Sequence, residues 1–379
     1  MWKGVVISMG KQLLHTPEGV RDIYGSEYEK KLKAQSLLHE KILSYGYQDI
    51  QTPSFEFIDV FGSDMGTTDS KELYKFFDKE GNTLALRSDF TPSIARCAAK
   101  YFMDNNDALR FSYVGNTFTN LSNLQGKLKE TTQMGVELIG DDSIYADAEV
   151  LSVTVESLLN TGLTDFQVSV GNVEYFKGLC EEFGFCKETE SSIHEYISNK
   201  NFFGAQEYLL NAGVDKSKRE KLLKTGDLIG SVDVLDEAIT LAGNERSKAA
   251  IERLRAVYKV LEAYGYEKYI SFDLGMLTQY HYYTGMIFKV YTYGVGDAIA
   301  KGGRYDALLS KFGKNAPAVG FVILIDDLMQ SLSRQSIQIP LNVKKEVLEF
   351  SDANFADVLL KAKELRKQGF TVEMKKIAK

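Results

Sequence analysis

In the stretch TTQMGVELIG, Gln133 and Glu137 stand four residues apart with Gly135 midway between them. Side chains alternate faces along a strand, so Gln133, Gly135 and Glu137 share one face while Met134, Val136 and Leu138 share the other. The apolar set suits burial under helices. The polar set puts an amide and a carboxylate on either side of a residue with no side chain, which leaves a hollow for a small ligand lying on the sheet. A half-exposed strand with its polar residues in water has the same pattern, and spacing alone does not separate the two.

Two other constellations carry usable groups. In LRSDFTPSIAR, Asp89 and Thr91 sit where a strand enters a helix. Both types cap helices, with Pro92 suited to the first helical position, and Asp89 could equally bind an ammonium group. Further on, Tyr280, Tyr282, Tyr283, Tyr291 and Tyr293 precede Gly302-Gly303-Arg304-Tyr305-Asp306. Alternating aromatics serve sheet packing and a Gly-Gly pair serves a turn, but a buried phenol needs a hydrogen-bond partner, and a ligand can supply one. His281 alone signals little. The sequence contains no phosphate-binding loop of the Gly-x4-Gly-Lys-Ser/Thr type and no Gly-x-Ser-x-Gly nucleophile elbow.

The elements that must position these groups follow from periodicity. SEYEKKLKAQSLLHEKILSY, Ser26 to Tyr45, has mostly helical apolar spacing and leads into a strand near YQDIQTP. Two strands are expected around Glu80-Gly81-Asn82, then a helix from Thr91-Pro92. Phe111 to Gly140 reads as a long hairpin whose return strand carries Gln133 and Glu137. Helical periodicity dominates from about residue 175 to 265, strands return at KYISFDLG and MIFKVYTYG, and GDAIAKGGRYDALLSKFG is expected to turn into a helix. The chain closes on a strand–helix–strand pattern. The order, helix then antiparallel hairpins, predicts an α+β fold, divided as 1–174, a helical insertion at 175–265, a return to the first domain at 266–335, and a short α/β unit at 340–379.

At 379 residues and 44% hydrophobic, the chain can bury a large core in more than one domain. Its 45 basic and 52 acidic residues give a net charge of −7, which supplies no electrostatic footprint for nucleic acid. Cys97, Cys180, Cys186 and four scattered histidines form no metal-ligand pattern, so neither metal nor cofactor is expected. No signal-peptide core or apolar run of membrane-spanning length occurs, which predicts a cytoplasmic protein with reduced thiols.

Taken in order, TPEGVRDI, LALRSDFTPSIAR, GNTFTN, QMGVELIG, YYTGMIF, GGRYDALLSKFG and PAVGFVILIDDL resemble the catalytic domain of histidyl-tRNA synthetases, a class II aminoacyl-tRNA synthetase fold, over roughly Leu14 to Leu332. The resemblance implies a mostly antiparallel sheet flanked by helices, and a C-terminal unit that is a truncated relative of an anticodon-binding domain. It also implies a histidine pocket. The acid and Thr of the family's Leu-Arg-Pro-Glu-Gly-Thr map to Asp89 and Thr91, the Gln and Glu of Gln-x-Gly-Val-Glu to Gln133 and Glu137, and the tyrosines of Tyr-Tyr and Gly-Gly-Arg-Tyr to Tyr283 and Tyr305. In that mapping Glu137 accepts from the imidazole N–H, and Asp89 with Gln133 meets the ammonium. The change from Glu to Asp at 89 shortens the reach by one methylene.

Three family arginines that meet the charge of ATP are absent. Their positions hold Thr119, Thr278 and Asp327. Removing one preorganised charge-stabilising donor typically costs about 3–4 kcal/mol of transition-state stabilisation, and an acid at 327 would repel a polyphosphate. A retained histidine pocket with a lost ATP site resembles instead the regulatory subunits of ATP phosphoribosyltransferase, synthetase paralogues that activate a short catalytic subunit and carry feedback by histidine. The Asp-Phe-Thr at 89–91 also resembles that family. The resemblance implies the short-form catalytic subunit and L-histidine as partners, a self-dimer through the Ser26–Tyr45 helix and the following strand, no tRNA, and no synthetase activity of its own. A working synthetase and a histidine-binding module for another partner are the alternatives.

Overall fold

The computed structural model describes residues 14–62, 65, 68–121, 127–278, 282–341 and 344–377. The N-terminal apolar patch, Gln279, Tyr280 and His281 therefore lie outside the described residues. The chain forms two compact units, one of residues up to Ile23 with Ala34–Gln338, the other of Tyr24–Lys33 with Ile339–Lys379.

The larger unit carries every candidate site residue. The expected N-terminal helix spans Gly25–Ser44, and within its part in this unit Ala34, Leu38 and Ile42 are fully buried at i, i+4, i+8 spacing, one face of a helix. Strand β1 (Gln48–Asp49) is followed by a small antiparallel sheet of β2 (Phe55–Phe57), β3 (Lys75–Phe77) and β4 (Thr83–Leu86), in the order β2-β4-β3. The long hairpin comes next as β5 (Leu109–Phe118) and β6 (Glu130–Ile139), then β7 (Phe166–Asn172), β8 (Ile229–Gly230), β9 (Ile270–Asp273), β10 (Met286–Thr292), β11 (Ala300–Arg304) and β12 (Ala318–Leu324).

Among the described residues, β1 and β5 to β12 make a nine-stranded sheet in the order β1-β5-β6-β12-β11-β10-β7-β9-β8. It is antiparallel except where β1 meets β5 and β7 meets β9. The α+β class and the mostly antiparallel sheet agree with the sequence reading.

One face of this sheet is sealed by helix Ile144–Asn160, capped by the Ser143 hydroxyl, which accepts the Ala146 N–H. Met134, Val136 and Leu138 are buried as the alternation requires. Between Val173 and Tyr264 the chain is mainly helical, and helix Glu245–Tyr264 packs on both Ile144–Asn160 and Val173–Phe183. A buried ion pair ties helix to sheet. Asp147, at 0% exposure, bonds Arg304 of β11 at 2.7 Å and Arg253 at 2.7 Å.

Three local expectations need correction. Gly302 and Gly303 are not a turn but the middle of β11, where a Cβ would lie 2.4 Å from the Gly320 carbonyl oxygen and 2.6 Å from that of Met286. After Asp306 the chain makes only a short 3-10 turn, Leu309–Phe312, rather than a helix. Finally, Thr91 does not cap its helix: it is the first helical residue, with Phe90 in the capping position.

The smaller unit is described by itself. Parallel strands β13 (Lys345–Phe350) and β14 (Thr371–Lys376) flank helix Phe355–Lys367, the expected strand–helix–strand order. Leu348, Ala362 and Val372 are its buried core.

Candidate ligand-binding site

Asp89, Thr91, Gln133, Glu137, Tyr283 and Tyr305 all line one cavity of about 30 Å³ on the sheet face opposite helix Ile144–Asn160. Glu137 lies at its floor, 2% exposed. The Thr91 hydroxyl donates to Glu137 Oε1 at 2.8 Å, and the Tyr305 hydroxyl donates to Oε2. Just before the helix, Asp89 Oδ1 accepts the Thr91 N–H at 3.2 Å. The Tyr282 hydroxyl donates to Asp89 Oδ2 at 3.2 Å.

The register explains why glycines surround this carboxylate. Glu137 is directly opposite Gly320, and Gly320 is opposite Gly303. A Cβ on Gly320 would stand 2.0 Å from Glu137 Oε2, and one on Gly303 would stand 2.8 Å from the Tyr283 ring. Both strands thus give up side chains to make room for groups that face the cavity.

Burial pushes the Glu137 carboxyl up to about 8, against the hydrogen bonds from Tyr305 and Thr91, with the nearby Asp89 charge raising it further. Burial thus favours the neutral form of the Glu137 carboxyl, while the two hydroxyls favour its charged form. Burial also holds the Tyr113 and Tyr305 hydroxyls well above the ordinary phenol range, so both remain proton donors.

The hollow expected over Gly135 is filled. Tyr113 is its cross-strand partner, and a Cβ on Gly135 would meet the Tyr113 hydroxyl at 2.5 Å and the Phe321 carbonyl oxygen at 2.1 Å. The cavity lies beside that position instead, with Tyr113 as a wall. Tyr282, one of the tyrosines singled out from the sequence, lines the same cavity, as does Lys301, which sequence reasoning missed. Tyr113 had one available signal, a large aromatic placed opposite a glycine once the hairpin is paired.

At the three positions without arginine, the groups present are poor ligands for a polyphosphate. Thr119 follows β5, its N–H donating to the Lys129 carbonyl at 2.8 Å. Thr278 lines a neighbouring cavity of about 280 Å³, which shares Tyr283 as a wall with the smaller one. Asp327 is in the first turn of helix Ile325–Arg334, and burial raises its carboxyl, with Asp297 and Asp326 adding to the effect and Lys127 and Lys301 opposing it.

A family model described as histidyl-tRNA synthetase matches residues 19–328. The ATP phosphoribosyltransferase regulatory subunit of Acetivibrio thermocellus is 38% identical over 366 residues, 97% of this chain and 88% of that protein. The chain belongs to the family of ATP phosphoribosyltransferase regulatory subunits. A crystal structure of an ATP phosphoribosyltransferase regulatory subunit/histidyl-tRNA synthetase from Bacillus halodurans superposes with a TM-score of 0.88 at 32% identity, over 96% of this chain and 93% of that one. The histidyl-tRNA synthetase of Nostoc sp. shares the fold, with a TM-score of 0.82 at 22% identity over 97% of this chain and 86% of that one. The family and the class II synthetase-like fold inferred from the ordered motifs are borne out. Among the described residues no helix is long and apolar enough to cross a membrane.

Proposed function

We propose that this chain is a non-catalytic regulatory subunit that assembles with the short catalytic subunit of ATP phosphoribosyltransferase in the cytoplasm, activates it, and makes it sensitive to L-histidine. The observation that carries the reading is the single cavity lined by Asp89, Thr91, Gln133, Glu137, Tyr283 and Tyr305, in a chain whose ATP-binding arginine positions hold Thr119, Thr278 and Asp327. Glu137 accepts from the imidazole N–H, Asp89 and Gln133 meet the ammonium, and the tyrosines enclose the ring. Membership in a family named for regulation of this enzyme supports the partner.

If the inhibited assembly binds histidine more tightly, histidine favours it, and by linkage the catalytic subunit's substrates oppose histidine to the same extent. The division into 1–174, 175–265, 266–335 and 340–379, a self-dimer through the N-terminal helix and the strand after it, and no role for tRNA belong to the same proposal. The net charge of −7 favours the last of these.

The test is Glu137→Ala in the assembled complex. Catalytic activity should survive while inhibition by histidine is lost, with assembly unchanged by size-exclusion chromatography. Undiminished inhibition by histidine would remove Glu137 from the effector site.

A further inference from the structure

A free amino acid carries a carboxylate as well as an ammonium group, and the six residues already discussed offer that carboxylate no cation. Among the described residues lining the cavity, Lys301 is the one cationic side chain. It lies two residues before Gly303 on β11 and so points to the same face. In the register, Gly135 is opposite Val322, Val322 opposite Lys301, and Lys301 opposite Lys289, one row along from Glu137, Gly320 and Gly303. Two strand spacings and one two-residue step put the Cα atoms of Glu137 and Lys301 roughly 12 Å apart. A glutamate, an amino acid and an extended lysine span that together.

The charges around Lys301 favour an anion there. Lys289 and Lys301 are directly opposed on neighbouring antiparallel strands, an arrangement of like charges that a further anion beside them would ease. Burial lowers the affinity of the Lys289 ammonium for its proton, and Lys301 and Lys200 lower it further, against Asp297 and Asp273. Asp327 also lies within the field of Lys301 and competes with a ligand for it.

We infer that Lys301 binds the α-carboxylate of the effector, and so selects a free amino acid over the same imidazole without a carboxylate. This rests on the histidine reading of the site. It makes Lys301, with Lys289 beside it, the specificity determinant of a site in which Glu137 reads the ring and Asp89 the ammonium.

The experiment is calorimetric titration of the full chain with L-histidine and with L-histidinol, which carries a hydroxymethyl group where histidine has its carboxylate. The unaltered chain should prefer histidine. In Lys301→Met, histidine binding should weaken roughly 10- to 100-fold, the range for loss of a hydrogen bond to a charged group, while histidinol binding stays within about threefold. Lys301→Arg should restore the preference, with circular dichroism confirming that each variant is folded. Retention of the full preference by Lys301→Met, or equal weakening of both ligands, would overturn the assignment of Lys301 while leaving histidine in the site. Failure of the unaltered chain to bind either ligand would overturn the histidine reading and the role of Lys301 with it.

Discussion

Glu137 should make the ligand-free protein less stable as pH rises, and Glu137→Gln should remove that dependence. The carboxyl titrates at about 8 in the folded chain against an ordinary value of 4.5. Between those values the folded state holds a proton that the unfolded state has released, so the slope of unfolding free energy with pH is negative. Stability from this proton is complete below about pH 4.5 and is lost as pH rises through about 8. Each pH unit inside the window is worth about 1.4 kcal/mol. From about pH 5.5 to about pH 8, allowing for the flattening near the upper end, the loss comes to about 3 kcal/mol. Gln has the same shape and no titration. Its oxygen still accepts from Thr91, and its amide donates to Tyr305 where the hydroxyl formerly donated. Urea unfolding of both proteins at the two pH values isolates the term, because all other titrating groups are common to both. The variant should gain about 3 kcal/mol on the parent between the lower and the higher pH, at the expense of histidine binding. Parallel pH dependences in the two proteins would refute the claim that burial, rather than the hydrogen bonds from Tyr305 and Thr91, sets the protonation of Glu137.

Three other outcomes follow from the structure. Histidine-dependent ATP–pyrophosphate exchange should be undetectable beside a working synthetase, since each missing charge-stabilising donor costs about 10²–10³ in rate; exchange at a synthetase rate would contradict the reading of Thr119, Thr278 and Asp327. Gly320→Ala should push a methyl into Glu137 Oε2 and the Val136 carbonyl, 2.0 and 2.5 Å away, lowering stability by about 1–3 kcal/mol and abolishing histidine binding; a titration with unchanged affinity would place the ligand elsewhere. Asp147→Ala should destabilise the chain by about 3–5 kcal/mol in urea unfolding, because Arg304, only 4% exposed, loses its buried carboxylate, and a change below 1 kcal/mol, roughly that of a surface pair, would contradict the buried role.

What the sequence made legible was local or ordered. Alternation in TTQMGVELIG placed Gln133 and Glu137 on one face, and the pairing of β5 with β6 keeps them there. The resemblance then brought Asp89, Thr91, Tyr283 and Tyr305 to the same site from segments up to 216 residues apart. What stayed hidden depended on register between strands. Lys301 was unreadable while Gly302-Gly303 looked like a turn, since only a strand fixes which face its side chain takes. Tyr113 fills the place of a missing Cβ across the hairpin, and the residues between β5 and β6 carry no pattern that fixes their pairing from sequence. Thr91 is the clearest case of tertiary override: a residue type that caps helices spends its hydroxyl on Glu137, 46 positions away.

The most direct test of the account is phosphoribosyl-ATP formation by the short catalytic subunit from the same genome, with and without this chain, across a titration of L-histidine. Activity should appear only when the chain is present and should fall as histidine rises. Catalysis indifferent to the chain, or stimulated by it yet insensitive to histidine, would contradict the claim that a synthetase-like pocket here serves as the enzyme's sensor.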